Sequence, residues 1–253
     1  MKNQGKNNER TTEYNQKFDR EKLLASLIKK EKPVIFDVGA NNGSSILEFK
    51  SIWDQSVIYS FEPQQECQGD LINLQKKFQG SVFVYDFAIG SENKLSADFY
   101  SHDINSGVSG FNKINQSSID SIDLNTKNEV ELNKYLDGLN RVRKVEIQRL
   151  DSFISSKNIN SSDLDILKID TQGFEPEVLK GAGELLASFD LVITELMFFD
   201  FYEKQLSFFD IEKFLIPAGF KLFDISHISK NPMNGRTDWV DIIYINKTLY
   251  ERN

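Results

Sequence analysis

The chain has 253 residues, of which 30 are Lys or Arg and 38 are Asp or Glu, giving a formal charge of −8. Hydrophobic residues make up 40% and charged residues 27%, the balance of a globular chain with room for one large core. A single cysteine, Cys67, excludes an intramolecular disulfide and a cysteine-cluster metal site, and two histidines, His102 and His227, exclude a multi-histidine zinc site.

No run of about 18 apolar residues is present, so no membrane-spanning helix is expected. Met1 to Gln16 is polar and lacks the apolar stretch of a signal peptide, which predicts a flexible N-terminus over residues 1–16 and a cytoplasmic protein. The negative charge and the lack of a basic stripe argue against nucleic acid as a partner. Twenty Phe side chains predict an aromatic core, with a stacking platform for a base or sugar as the alternative.

From Lys17 to Glu31, Phe18, Leu23, Leu24, Leu27 and Ile28 form a helical stripe that Pro33 ends. Val34 to Val38 reads as a strand buried on both faces, Gly39 to Gly43 as a tight turn, and Ser45 with Glu48 has the spacing of a helix capping box. Val57 to Phe61 is the next strand. The helix after it carries Cys67, Leu71, Leu74 and Phe78 on one face, which makes Cys67 a packing residue. Gly69 weakens that helix. Val82 to Tyr85 is a third strand running towards Ala88-Ile89-Gly90. The order β-α-β-α-β implies parallel strands with right-handed crossovers.

Leu95 to Tyr100 and Val142 to Leu150 could each be an extra strand, and Ser101 to Asn128, dense in Ser, Asn and Asp, has no clear period. Alternation resumes with a strand at Leu164 to Asp170, a helix opened by Pro176 and capped by Gly181, and a strand from Leu191 to Thr194 that ends at Glu195. A helix over about Ser207 to Ile216 is stopped by Pro217 and Gly219. Phe220 to Ile225 and Trp239 to Ile245 are the last strands, and the short link Ser226 to Asp238 makes them antiparallel. The expected fold is α/β: one Rossmann-like, doubly wound sheet of about seven strands, mostly parallel with the last reversed. The domain would span residues 17–253, with a variable insertion at about 91–149.

Ligands of such sheets bind at the carboxyl ends of the strands. Four strand ends here carry acidic residues or glycine turns. Asp37-Val-Gly-Ala-Asn-Asn-Gly43 lacks the G-x-G-x-x-G of a nicotinamide or flavin site, and Asp37 suits a cationic amino group better than a pyrophosphate. Glu62 ends the next strand and can accept hydrogen bonds from a ribose diol. Lys168 and Asp170 share a strand face; their competing reading is a structural ion pair with Glu195. Thr194-Glu195 adds a carboxylate that, with Asp170 and Glu175, either orients the site or holds a hard divalent cation; the former is favoured, and no metal is expected.

The order of Asp37 to Gly43, Phe61-Glu62-Pro63, Ala88-Ile89-Gly90, Leu150-Asp151, the long run Leu167 to Ala182 and Thr194-Glu195 resembles the FkbM-type family of S-adenosylmethionine-dependent methyltransferases. The resemblance runs from about Pro33 to the last strand, and the long run is its most specific part. It implies a class I methyltransferase fold and O-methylation of a small molecule or glycan, such as a sugar or polyketide-like hydroxyl. By position, it implies that Asp37, Gly39, Asn41 and Gly43 line the methionine end of the cofactor and that Glu62 and Pro63 meet the ribose. Asp86, Phe87 and Ala88 would flank the adenine, and Asp170 would face the transferred methyl group.

A sugar hydroxyl needs a base to take its proton. Asp170 is the first candidate, with His102 and His227 as alternatives and Lys168 as its positioning partner. Glu175, Glu195 and His227 are candidates on the acceptor side. The Ser101 to Asn128 segment would be a lid over the acceptor or a disordered insertion. Competing functions are a cofactor-binding protein of the same fold with little turnover and, less well supported, a nicotinamide oxidoreductase.

Overall fold

The structure is a computed structural model that describes residues 12–14, 16–102, 105–118, 129–232 and 234–252. Most of the N-terminus expected to be flexible (residues 1–11 and 15) lies outside the described residues. So do residues 103–104 and 119–128 of the Ser101 to Asn128 segment.

Seven strands form the central sheet: β1 (Val34–Val38), β2 (Val57–Phe61), β3 (Val82–Tyr85), β7 (Ile166–Ile169), β8 (Leu191–Met197), β9 (Phe220–Lys230) and β10 (Thr237–Asn246), in the order β3-β2-β1-β7-β8-β10-β9. The first five pair in parallel with their neighbours, and β10 runs antiparallel to both β8 and β9. The expected sheet of about seven strands with the last reversed is therefore present. Apolar side chains leave both faces, so the sheet needs cover on both sides. On one face Phe36, Val38, Phe61, Leu167 and Val192 pack with Phe153, Val178 and Ile211 from the helices over them. On the other, Ile35, Ile58, Ile166, Ile193 and Ile243 pack with Leu24, Ile46, Phe49 and Leu71.

The aromatic residues serve the first of these cores. Phe61 meets Phe153 edge-on at 4.9 Å and stacks on Tyr85 at 5.4 Å, and Phe36 stacks on Tyr59 at 5.1 Å. None of the helices among the described residues is long and apolar enough to cross a membrane.

The extra strands expected at Leu95 to Tyr100 and Val142 to Leu150 are present as β5 (Lys94–Ser101) and β6 (Arg141–Gln148), which with β4 (Ala88–Ile89) form a separate three-stranded sheet in the order β4-β6-β5. Four local expectations are corrected. The first helix is shorter than its apolar stripe, spanning Arg20–Leu27; Asp19 caps it by accepting from the Lys22 N–H at 2.8 Å. The Ser45 and Glu48 capping box does not form: Ser45 donates to Asp37 at 2.6 Å, Glu48 takes Arg20, and the backbone of Gly43 caps the helix Ser44–Ile52. The presumed link Ser226 to Asp238 is mostly ladder, so His227 lies on β9 opposite Asp241. Gly183, not Gly181, caps the helix Glu175–Ala182.

Gly181 answers a different need. A Cβ there would lie 2.0 Å from the Gly90 carbonyl oxygen, so the helix docks on the start of the insertion through bare backbone. Gly69, inside the helix Gln65–Lys77, has open space around it. The two glycines should respond oppositely to alanine. Gly181→Ala is expected to destabilise the fold by about 1–3 kcal/mol through overpacking, and Gly69→Ala to stabilise it by about 0.5–1 kcal/mol, as measured by urea unfolding.

Candidate active site

The site arises where apolar columns of one sheet face turn ionic at the carboxyl rim. Side chains alternate along a strand. Ile35 of β1 is followed two residues on by Asp37, and Ile166 of β7 by Lys168 and then Asp170 just past the strand end. Ile193 of β8 is followed by Glu195, and the reversed β10 brings Asp241 to the same rim beyond Ile243. The ladder sets Asp37 opposite Lys168 and Glu195 opposite Asp241.

Lys168 joins these charges. Its ammonium lies 3.2 Å from Asp37 Oδ1 and 3.6 Å from Asp170 Oδ2, and it donates to the Gly39 carbonyl at 3.0 Å. Burial opposes its charge, but Asp37 and Asp170 outweigh burial and hold the ammonium above the ordinary lysine range. The pair is therefore intact throughout the neutral range. Its stabilisation is complete below the ordinary lysine value and is lost only as pH rises through the raised one. Asp37 is fully enclosed and also accepts from Ser45 Oγ at 2.6 Å and Ser60 Oγ at 3.5 Å. Lys168 thus pairs with Asp37 and Asp170 rather than with Glu195.

Beside this cluster lies a cavity whose lining includes Gly39, Glu62, Pro63, Ala88 and Asp170. Gly39 adopts φ +81°, and a Cβ on it would lie 1.8 Å from the Asp170 carbonyl oxygen, so the chain approaches β7 there only as glycine. Glu62 is buried, which pushes its carboxyl up, yet its two oxygens accept the Gln64 and Asn41 N–H groups at 2.9 Å each. A carboxylate has about four lone-pair sites, so two remain for a diol. Gln64 lines the same cavity, and its buried Oε1 makes no hydrogen bond among the described residues. These acceptors fit the hydroxyl donors of a ribose.

Asn41, in the left-handed region at φ +46°, turns its side chain away from this cavity. It accepts from Ser106 Oγ at 2.8 Å and from the Cys67 thiol at 3.3 Å. Burial pushes that thiol up to about 11, which suits the packing role expected of Cys67. Asp37 and Gly43 sit behind the turn and do not line the cavity. Of the three residues expected at the adenine, Ala88 lines it, Asp86 is exposed, and Phe87 packs against Phe61 and Tyr85.

A second cleft of about 740 Å³ opens on the other side of Asp170, bounded by Arg20, Ser44, Glu48, Glu195 and Asp241. Arg20 pairs with Glu48 at 2.6 Å and Asp241 at 3.1 Å and donates to Ser226 Oγ at 2.6 Å. Burial raises the Asp241 carboxyl, and burial together with Asp170 and Glu175 raises that of Glu195 further. A third cavity, of about 340 Å³, shares Glu195 and is walled by Met197, Phe199 and Tyr202.

The turn after β7 binds these parts together. Glu175 is buried, and its Oε1 accepts the Thr171 N–H at 2.9 Å, the Thr171 hydroxyl at 3.1 Å and the Gly173 N–H at 3.2 Å. It thus shapes the turn from within, although it also lines the third cavity. His102 is buried beside Tyr135, with Nδ1 accepting the Asn105 N–H at 2.8 Å, and His227 is exposed on the edge strand; neither lines these cavities. Among the described residues, no three His, Cys, Asp or Glu side chains are grouped as a metal site. Sequence reasoning missed Arg20, Gln172, Tyr202 and Asp241. The alternation Asp241, Ile243, Ile245 could have pointed to Asp241, and Gln172 stands inside the long motif.

Residues 37–222 match the family described as Methyltransferase FkbM domain. The 2-O-methyltransferase NoeI of Sinorhizobium fredii (strain NBRC 101917 / NGR234) is 26% identical over 189 residues, covering 72% of this chain and 71% of that protein. The crystal structure of methyltransferase FkbM from Methylobacillus flagellatus KT superposes with a TM-score of 0.52 at 12% identity, which establishes the fold. That superposition covers 85% of this chain and 44% of the other, so this chain spans less than half of that protein. Magnesium protoporphyrin IX methyltransferase (ChlM) from Synechocystis PCC 6803 with bound SAM superposes at 0.43, with 10% identity over 89% of this chain and 76% of its own.

Asp37 has no solvent to fall back on if Lys168 is lost. Lys168→Met is expected to cost about 3–5 kcal/mol, the penalty of a buried charge left unpaired. Adding Asp37→Asn should recover part of that loss in urea unfolding, because the stranded charge is then gone.

Proposed function

The chain belongs to the FkbM methyltransferase family, and we propose that it methylates a hydroxyl of a neutral carbohydrate, with Asp170 as the base. As a member of that family it uses S-adenosylmethionine. When bound, this cofactor supplies an electrophilic methyl group on a cationic sulfonium. The observation that carries the proposal is that Asp170 is the one residue common to the cavity of Gly39 and Glu62 and the acidic cleft among the described residues.

In this reading Glu62 accepts the ribose hydroxyls with its two remaining lone-pair sites, and Gly39 gives the cofactor close access to the backbone. The excess of carboxylates over cations on the rim offsets the positive charge of the sulfonium. Residues 105–118, within the insertion expected at about 91–149, brace the cofactor turn through Ser106 to Asn41 and Gln64. Their position supports a lid over the cofactor.

The acceptor lies in the cleft with Arg20, Ser44, Glu48, Glu195 and Asp241. Its two cations, Arg20 and Lys168, are already ion-paired, so a phosphate or uronate would meet an excess of carboxylates there. Hydroxyl groups are donors that those carboxylates can accept. That a relative of this chain is a 2-O-methyltransferase supports oxygen as the atom methylated.

Asp170 takes the hydroxyl proton at its carboxylate as the acceptor oxygen becomes a nucleophile. Lys168, 3.6 Å from its Oδ2, holds that carboxylate in place. His102 is less suited, being enclosed with one ring nitrogen already accepting a hydrogen bond, and His227 less so again, standing on the outer strand.

The test is transfer from methyl-labelled S-adenosylmethionine to a panel of neutral, phosphorylated and uronate-bearing glycans, with products detected by mass. Methylation is expected on neutral glycans alone. Asp170→Asn is expected to lower kcat by about 10²–10⁴-fold while leaving S-adenosylhomocysteine affinity within about threefold in calorimetry. Full turnover by that variant would remove Asp170 from the role.

A further inference from the structure

We infer that Gln172 is a positioning residue for this reaction: its side-chain amide holds Asp170 and Glu195 side by side, and Tyr202 fixes the direction in which the amide faces. The inference deepens the reading above and rests on Asp170 being the base.

Gln172 Nε2 lies 2.8 Å from Asp170 Oδ1 and 3.1 Å from Glu195 Oε2. An amide nitrogen carries two hydrogens, so each carboxylate receives one. The amide oxygen accepts from the Tyr202 hydroxyl at 2.7 Å, and that hydroxyl also lies 3.0 Å from the Val108 carbonyl. The opposite amide orientation would aim an oxygen at two carboxylates. Only the orientation seen gives both carboxylates a donor.

The backbone is bent to deliver this group. Gln172 has φ +57°, left-handed and unfavourable for a residue with a side chain. Such a conformation costs on the order of 1–3 kcal/mol and persists where its surroundings over-determine it. Here Glu175 does so by gathering the N–H groups of Thr171 and Gly173 on either side. A glycine would meet the backbone demand at lower cost, but it would have no amide to offer.

The chemistry favours an amide over a cation. Asp170 and Glu195 face each other near Glu175 and Asp241, so without a donor between them they would repel and separate. A second Arg or Lys would hold them together but would add to Lys168 another positive charge beside the proposed base. Gln172 supplies two donors and no charge. It donates to Asp170 Oδ1, while Oδ2 lies 3.6 Å from Lys168.

Gln172→Asn is the test, because Asn tolerates the left-handed region while its amide is one methylene short of the carboxylates. A misplacement of about 1 Å can cost on the order of 10²-fold, so kcat is expected to fall about 10–100-fold with little change in S-adenosylhomocysteine affinity or Tm. The acidic limb of the kcat–pH profile is expected to move to higher pH, since the carboxylates lose donors to their charged form. Tyr202→Phe should shift both quantities in the same direction by less. If Gln172→Asn does not fold, Gln172→Gly, which relieves the backbone, gives the same readouts. Wild-type kcat and pH profile in the folded variant would overturn the inference. So would a loss of kcat matched by equal losses of cofactor affinity and Tm with the profile unmoved, which is the mark of a merely structural role. Asp170→Asn is assayed in parallel. If it stays active, the base assignment fails, and if it is inactive while Gln172→Asn is unaffected, only the role of Gln172 fails.

Discussion

The ammonium of Lys168 lies between the carboxylates of Asp37 and Asp170 and against the carbonyl of Gly39. Those contacts tie β1, β7 and the turn after β1 to a single point at the carboxyl rim of the sheet. Asp37 is wholly out of solvent, so its charge is tolerable only because Lys168, Ser45 and Ser60 answer it. Once Lys168 is fixed there, Asp170 has a fixed direction too. It lines two cavities, one with Gly39 and Glu62 and one rich in carboxylates.

The rest of the rim elaborates that constraint. Glu195 continues the row of charges on β8, Asp241 on β10, and Arg20 reaches in from the first helix to close the outer side. Glu62 on β2 lies on the cofactor side, its carboxylate already steadied by two backbone N–H groups. The turn after β7 adds an uncharged clamp through Gln172. The site is therefore acidic in sum, which suits a cationic sulfonium. A methyl transfer needs alignment more than it needs unusual chemistry. The structure meets that need with groups whose positions are set by strand register and buried hydrogen bonds.

Much of this was legible in the residue order. Val34 to Val38 and Leu191 to Thr194 are too apolar to be anything but buried strands, and the short reach from Phe220 to Ile245 leaves no room for a crossover. The strand-end residues Glu62, Asp170 and Glu195 follow from the same reasoning. The parts that were not legible depend on contacts distant in sequence. Ala88-Ile89 is too short to announce a strand, and its partner on β6 lies at the far end of the long insertion. Asp37 reads as a ligand for the cofactor, yet its enclosure depends on Ser45, Ser60 and Lys168. Arg20 carries no local signal, because its partners Glu48, Ser226 and Asp241 come from three other elements. Gln172 hid because its importance comes from a left-handed backbone that sequence pattern does not reveal.

The central claim is that Asp170 is the meeting point of cofactor and acceptor. A crystal structure of the full chain with S-adenosylhomocysteine tests it most directly. The account predicts the ribose diol on the Glu62 carboxylate and the sulfur facing Asp170 at the mouth shared with the Arg20–Asp241 cleft. A nucleoside seated elsewhere, or a sulfur turned away from Asp170 towards the cavity of Met197 and Phe199, would contradict it.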